Sequence, residues 1–161
     1  MTRLVLEKLE KWKQSKRRKP LLLRGARQVG KTWVLKEFGN TFADGFVHID
    51  FDKQVEYRQF FEQTKDVKRI LDNLALATGK KITPKTLIIF DEIQACESAL
   101  NSLKYFYEDA PQYSVVGAGS LLGLKLASGF PVGKVEFLDM YPMTFTEFLF
   151  ANGDANLVEY L

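Results

Sequence analysis

Gly25-Ala26-Arg27-Gln28-Val29-Gly30-Lys31-Thr32 is the stretch on which the reading of this chain turns. It follows the apolar run Leu21-Leu22-Leu23 and precedes the helix-like Trp33-Val34-Leu35-Lys36-Glu37-Phe38. Two glycines with four residues between them, then Lys-Thr, set between a strand and a helix, form the pattern of a phosphate-binding loop. Glycine lets the backbone curl so that several N–H groups point at one anion, and the following helix adds its positive end. On this reading Gly25, Ala26, Arg27, Gln28, Val29, Gly30, Lys31 and Thr32 cradle the phosphates of a nucleotide. Lys31 reaches the β- and γ-phosphates, and Thr32 offers its hydroxyl to Mg²⁺. The bland alternative is a glycine-rich turn that happens to contain Lys-Thr. With glycine at about 7% of average composition, that coincidence is rare in a chain of this length.

The 161 residues suit a single domain with a real core. Hydrophobic residues at 46% and charged residues at 27% are ordinary for a soluble globular protein. A net charge of +3 does not argue for nucleic acid. Most of the basic excess lies in Lys11, Lys13, Lys16, Arg17, Arg18 and Lys19, just before Pro20; such a run can touch nucleic-acid phosphates or acidic lipids, but it reads first as a solvated linker. Cys96 is the only cysteine, so no intramolecular disulfide and no cysteine-rich metal site is expected. Met1 to Trp12 lacks the pattern of a signal peptide, and no segment approaches the roughly 18 apolar residues of a membrane span. A cytoplasmic protein is the default expectation.

Before the loop, Leu4, Leu6, Leu9 and Trp12 are spaced for a short amphipathic helix. After it, Gly39-Asn40 is a helix stop, and Gly45 to Phe51 reads as a second strand in which His48, the only histidine, is a strand residue with a local hydrogen bond rather than a catalytic base. Asp52 is placed to cap a helix through Phe60-Phe61. A second helix carries Val67, Ile70, Leu71, Leu74 and Leu76 and ends near Gly79. Leu87-Ile88-Ile89-Phe90-Asp91-Glu92 is an apolar strand closed by two acids, which must meet solvent or a cation because burying both is costly. Ser98 is placed to cap the helix bearing Leu100, Leu103 and Tyr107. Tyr113 to Val116 forms a fourth strand running into Gly117-Ala118-Gly119-Ser120, and Val135 to Met140 a fifth. Thr144 and Glu147 form a capping box before Phe145, Phe148 and Leu149.

Strands alternating with helices predict an α/β fold with a mostly parallel sheet covered on both faces, and ligands then bind beyond the carboxyl ends of the strands. The loop, Asp50, Asp91-Glu92 and Gly119-Ser120 all fall at such ends. Asp91 suits a hold on Mg²⁺. Glu92 is a candidate to polarise the water that attacks the γ-phosphate, and Ser120 a candidate to bond that water or the phosphate. A solvated turn that caps the next helix is the plain alternative for Asp91-Glu92.

Four stretches, in the same order over nearly the whole chain, carry a family resemblance. They are Gly25 to Thr32, Ile89-Phe90-Asp91-Glu92-Ile93-Gln94, Gly119-Ser120-Leu121-Leu122, and Pro142-Met143-Thr144-Phe145-Thr146-Glu147-Phe148-Leu149. Together they resemble the prokaryotic AAA-superfamily ATPases that carry a C-terminal domain of unassigned function. The resemblance implies a P-loop NTPase three-layer sandwich with a five-stranded sheet in the order 5-1-4-3-2, and ATP with Mg²⁺ as cofactors. It also implies Asp91 as the metal-side acid, Glu92 as the water-polarising acid and Ser120 near the sensor position. Ala118 stands where relatives often have a hydroxyl residue, and Lys134 where an arginine commonly precedes the fifth strand. Such proteins normally continue well beyond Leu161, so residues 1–161 look like the ATPase half of a longer protein.

Three activities fit these residues. The first is an ATPase coupled to a missing domain or an unknown partner, with a homo-oligomer as a possible assembly. The second is a switch that binds ATP with little turnover. The third is a small-molecule kinase, which would need an arginine-bearing lid; Leu121 to Phe130 offers only Lys125 as a charge.

Overall fold

The structure, a computed structural model, describes residues 3–16, 18–25, 30–120 and 133–140. Strands β1 (Leu21–Gly25), β2 (Phe46–Asp50), β3 (Leu87–Asp91), β4 (Ser114–Gly119) and β5 (Glu136–Met140) form one sheet in the order β2-β3-β4-β1-β5. Every pairing is parallel. This is the expected order 5-1-4-3-2 read from the other edge. The helices are α1 (Arg3–Gln14), α2 (Lys31–Gly39), α3 (Gln59–Glu62), α4 (Val67–Thr78) and α5 (Glu97–Asp109).

Alternation along the strands sorts side chains between two apolar layers. Leu21, Leu23, Leu87 and Ile89 pack with Leu9 and Trp12 of α1 and Val34, Leu35 and Phe38 of α2. Leu22, Ile88 and Phe90 face the other way, onto Ile70 and Leu74 of α4 and Leu100, Leu103 and Phe106 of α5. β3 is buried at every position, as a central parallel strand covered on both faces must be. The ring of Phe90 meets those of Phe51, Phe61 and Phe106 at centroid distances of 5.6, 5.2 and 5.9 Å. Fully burying one such side chain stabilises by about 1.5–3 kcal/mol, so Phe90 anchors the end of β3 one residue before Asp91.

Some local expectations are corrected. Asp52 is exposed and caps nothing; Asp50 makes that turn instead, its Oδ1 accepting the backbone N–H groups of Asp52 and Lys53 at 2.9 and 3.1 Å. Cys96, not Ser98, stands at the N-cap of α5, with no side-chain cap bond, and its thiol is buried. Leu76 points to solvent at 83% exposure. The basic run is no free linker: Lys13 Nζ donates to the Thr41 carbonyl at 3.1 Å, and Arg18 donates to the carbonyls of Lys13 and Gln112. Trp12 sets this up, because its buried indole donates to the Lys19 carbonyl at 2.7 Å and turns the chain back onto the body. Among the described residues no helix is long and apolar enough to cross a membrane. The Thr144–Glu147 capping box, the block from Pro142 to Leu149 and the stretch from Leu121 to Phe130 lie outside the described residues.

Candidate functional site

Gly30 adopts φ 88° and ψ 22°, a left-handed conformation that glycine alone takes without steric cost, and α2 begins at the next residue. The N–H groups of the first helical turn therefore open toward the carboxyl edge of the sheet. Ala26, Arg27, Gln28 and Val29 lie outside the described residues. Across that gap Lys31 Nζ donates to the carbonyl of Gly25, the last residue of β1, at 3.0 Å. Lys31 is only 8% exposed. Burial pulls its pKa below the ordinary lysine value, while Glu92 and Asp91 draw it partly back up.

β3 delivers Asp91 to the same place. Its Oδ2 accepts the Thr32 hydroxyl at 2.6 Å and His48 Nε2 at 2.9 Å, and its Oδ1 accepts the Glu92 N–H at 3.0 Å. Burial opposes ionisation, but the hydrogen bonds from His48 and Thr32, attraction to His48 and the Glu92 N–H together outweigh it. Asp91 is held below the usual carboxylate range.

A hydroxyl carries one hydrogen, and Thr32 spends it on Asp91, so the remaining lone pairs of Oγ1 are available to a cation. An all-oxygen set of hydroxyl and carboxylate suits a hard divalent ion. Among the described residues no cluster of three or more His, Cys, Asp or Glu could hold a metal unaided. Mg²⁺ in nucleotide sites is usually held through one or two protein oxygens together with phosphates of the nucleotide.

Glu92 has φ 50° and ψ 45°, and it alone among the described non-glycine residues has a positive φ. Its carboxylate accepts Gln94 Nε2 at 2.6 Å. The turn is backed by Ile93, which rests on Gly117; a Cβ there would come within 2.9 Å of Ile93 Cδ1 and 2.8 Å of Leu22 Cδ2. Only glycine at that point of β4 lets the turn sit so close to the sheet.

Gly30, Lys31, Thr32, Asp91 and Glu92 line one cleft of about 550 Å³, together with Trp33, Asp50, Asp52 and Lys53. Asp50 stands opposite Asp91 in the strand register. Ser120 follows β4, the strand between β3 and β1, and is half-buried. Arg24, the residue before the loop, faces β5, where it pairs with both oxygens of Asp139 at 2.7 and 3.2 Å. Lys134 sits ahead of β5, at the amino end of the sheet, 3.4 Å from Glu108.

Two of these groups go beyond what the sequence assigns. The hydrogen bond expected of His48 goes to Asp91; the alternation of β2, which puts His48 on the same face as Asp50, is the signal that could have named this partner. Lys53 brings a second cation to the cleft.

Solved structures share the architecture. A Walker-type ATPase of Pyrococcus abyssi matches with a TM-score of 0.58 at 20% identity, over 100% of this chain and 63% of that one. AMPPCP-bound DnaA from Aquifex aeolicus matches with a TM-score of 0.55 at 12% identity, over 99% of this chain and 55% of that one. The ORC1 protein of Aeropyrum pernix, solved in complex with DNA, matches with a TM-score of 0.57 at 14% identity, over 94% and 48%. At these identities the likeness speaks for the fold, and this chain spans between about half and 63% of their lengths. No match to the sequence is found among curated proteins. The model of the AAA domain, by contrast, matches residues 17–149, most of the chain and all of the cleft just described. The chain belongs to the AAA domain family of P-loop ATPases.

Proposed function

We propose that the chain binds ATP with Mg²⁺ in the cleft between α2 and the ends of β2 and β3, and hydrolyses it to ADP and phosphate. The observation that carries this reading is the convergence of Lys31, Thr32, Asp91 and Glu92, from two distant parts of the chain, on one cleft. Lys31 exchanges its bond to the Gly25 carbonyl for the β- and γ-phosphates, where a buried ammonium is worth more than at the surface. The loop from Gly25 to Thr32 supplies backbone N–H groups to the same phosphates. Thr32 and Asp91 hold Mg²⁺, which when bound draws charge from the phosphate oxygens. Glu92 orients a water and takes its proton as the water oxygen forms a bond to the γ-phosphorus and the bond to the β-bridging oxygen breaks. Ser120 lies at the next strand end and serves as a secondary contact to the water or the γ-phosphate. Turnover is coupled to a further part of the protein or to a partner, as the larger size of the structurally similar chains suggests.

One observation favours a second reading, a nucleotide-operated switch with little turnover. The carboxylate of Glu92 is already engaged by Gln94 at 2.6 Å, and a general base tied down in this way would work slowly.

Titration of a fluorescent ATP analogue into the wild-type chain and Lys31→Ala tests the shared premise. Loss of most of the affinity is expected, with Lys53 supplying only a residual attraction from its exposed position. Unchanged affinity in Lys31→Ala would overturn the site.

A further inference from the structure

Three donors meet on Asp91, and the phosphate loop and the strand itself explain two of them. Thr32 belongs to the start of α2, and the Glu92 N–H is the next peptide along. The third comes from a separate strand: His48 lies on the edge strand β2, opposite Ile89 and two residues short of Asp91 in the register. Its ring leans along the strand and places Nε2 2.9 Å from Oδ2. Because an ionised carboxylate only accepts, the hydrogen of that bond is on Nε2.

Oδ2 is also the oxygen that receives the Thr32 hydroxyl. Where Oδ2 sits therefore decides where the Thr32 hydrogen points, and with it the direction of the Thr32 lone pairs. The terminal torsion of an aspartate is broad, so a carboxylate tied only from α2 and its own turn can rock about its Cβ–Cγ bond. A tie from β2 removes that freedom, since β2 is locked to β3 along its length from Phe46 to Asp50. The side chains of His48 and Asp91 are 19% and 3% exposed, so solvent has little room to replace the imidazole as donor.

We infer that His48 is a positioning residue which, through Asp91, fixes the Thr32 hydroxyl so that its lone pairs meet the divalent cation accompanying the nucleotide. The inference rests on the ATP and Mg²⁺ reading above. It assigns a role to a histidine that a strand-packing account leaves as a bridge between β2 and β3.

The test titrates a fluorescent ATP analogue into wild-type protein, His48→Phe and His48→Gln, first in EDTA and then across a range of Mg²⁺ concentrations. In EDTA all three should bind alike, within about twofold, because His48 touches none of the phosphate-loop groups. With metal present, His48→Phe should need about 10–100-fold more Mg²⁺ for half of the metal-dependent gain, the range usual when a partner of a metal ligand is lost. His48→Gln should return close to wild type, since its amide nitrogen reaches about as far as Nε2. If Phe is not tolerated, His48→Asn, whose amide stops short of Asp91, takes its place with the same expected shift. A Mg²⁺ dependence unchanged in the donor-less variant, even with a lowered melting temperature, overturns the inference and leaves His48 a bridge between strands. A Gln variant as impaired as Phe overturns the hydrogen-bond argument as well. Lys31→Ala keeps the two levels apart. If it abolishes binding while His48→Phe shows no shift, the His48 role alone fails; if it binds normally, the ATP site fails and the His48 role with it.

Discussion

Glu92 and Gln94 are joined across one tight turn, the Gln94 amide donating to Glu92 Oε2 at 2.6 Å. The carboxylate fixes which way the amide faces, because a turned amide would set oxygen against oxygen. Among the described residues Gln94 Oε1 has no hydrogen-bond partner and is buried. One oxygen of Glu92 is thus held, and among the described residues the other makes no hydrogen bond. Glu92→Gln keeps the shape of this turn but cannot take a proton. Binding of an ATP analogue should stay within about twofold of wild type, while phosphate release slows by about a hundred- to ten-thousandfold. Wild-type turnover in this variant would reduce Glu92 to a turn residue.

The same turn stores strain. A left-handed backbone costs a non-glycine residue roughly 1–2 kcal/mol, and Glu92 adopts it at φ 50°. Glycine relieves the strain but gains about 0.4–1 kcal/mol of freedom in the unfolded chain. Glu92→Gly should therefore be more stable than Glu92→Ala by about 0.5–1 kcal/mol in urea unfolding, and both should be inactive. An alanine variant as stable as the glycine variant would mean that the turn relaxes without cost.

Asp91 gives a pH dependence with a definite sign. Its folded-state pKa lies below the ordinary aspartate value of about 3.9, so its ionisation stabilises the fold at all pH values above that. The contribution drains away as pH falls from there through the lower folded value. In nucleotide-free protein Asp91→Asn should flatten the acid limb of the stability curve below about pH 4. An acid limb identical in the two proteins would show that other carboxylates control acid unfolding.

What could be read in advance followed from burial. Leu21 to Leu23 and Leu87 to Phe90 are continuous apolar runs because both faces of a central parallel strand are covered, so β1 and β3 announce themselves. The acids closing β3 are legible for the same reason, since charge ends an apolar run only where the core ends. Caps were less legible: Asp50 and Asp52 offer the same local chemistry, and only the pairing of Asp50 with Asp91 decides between them. The partner of His48 was missed because it is set by strand register. The basic run was misread because one buried indole, Trp12, decides whether Lys13 and Arg18 lie against the protein.

The isolated chain should hydrolyse ATP slowly, and faster as its concentration rises. Phosphoryl transfer depends on positive charge set against the transition state, and a cation supplied by a neighbour can be worth about a thousand- to a hundred-thousandfold. Among the described residues the cations lining the cleft are Lys31 and Lys53. Arg24 is committed to Asp139, and Lys134 stands at the opposite end of the sheet, where it contacts Glu108 at 3.4 Å. That bond is half-exposed, 44% on each side, so it holds Lys134 weakly enough to be surrendered to another copy. Lys134 can serve a cleft only in a neighbouring chain, because its own lies beyond the far ends of the strands. Mixing Lys31→Ala, which keeps Lys134 but binds ATP only weakly, with Lys134→Ala, which binds ATP but offers no cation, should therefore give more phosphate release than the sum of the two alone. Turnover that is fast and constant down to a dilution where sedimentation finds only monomers would mean that one chain completes its own site.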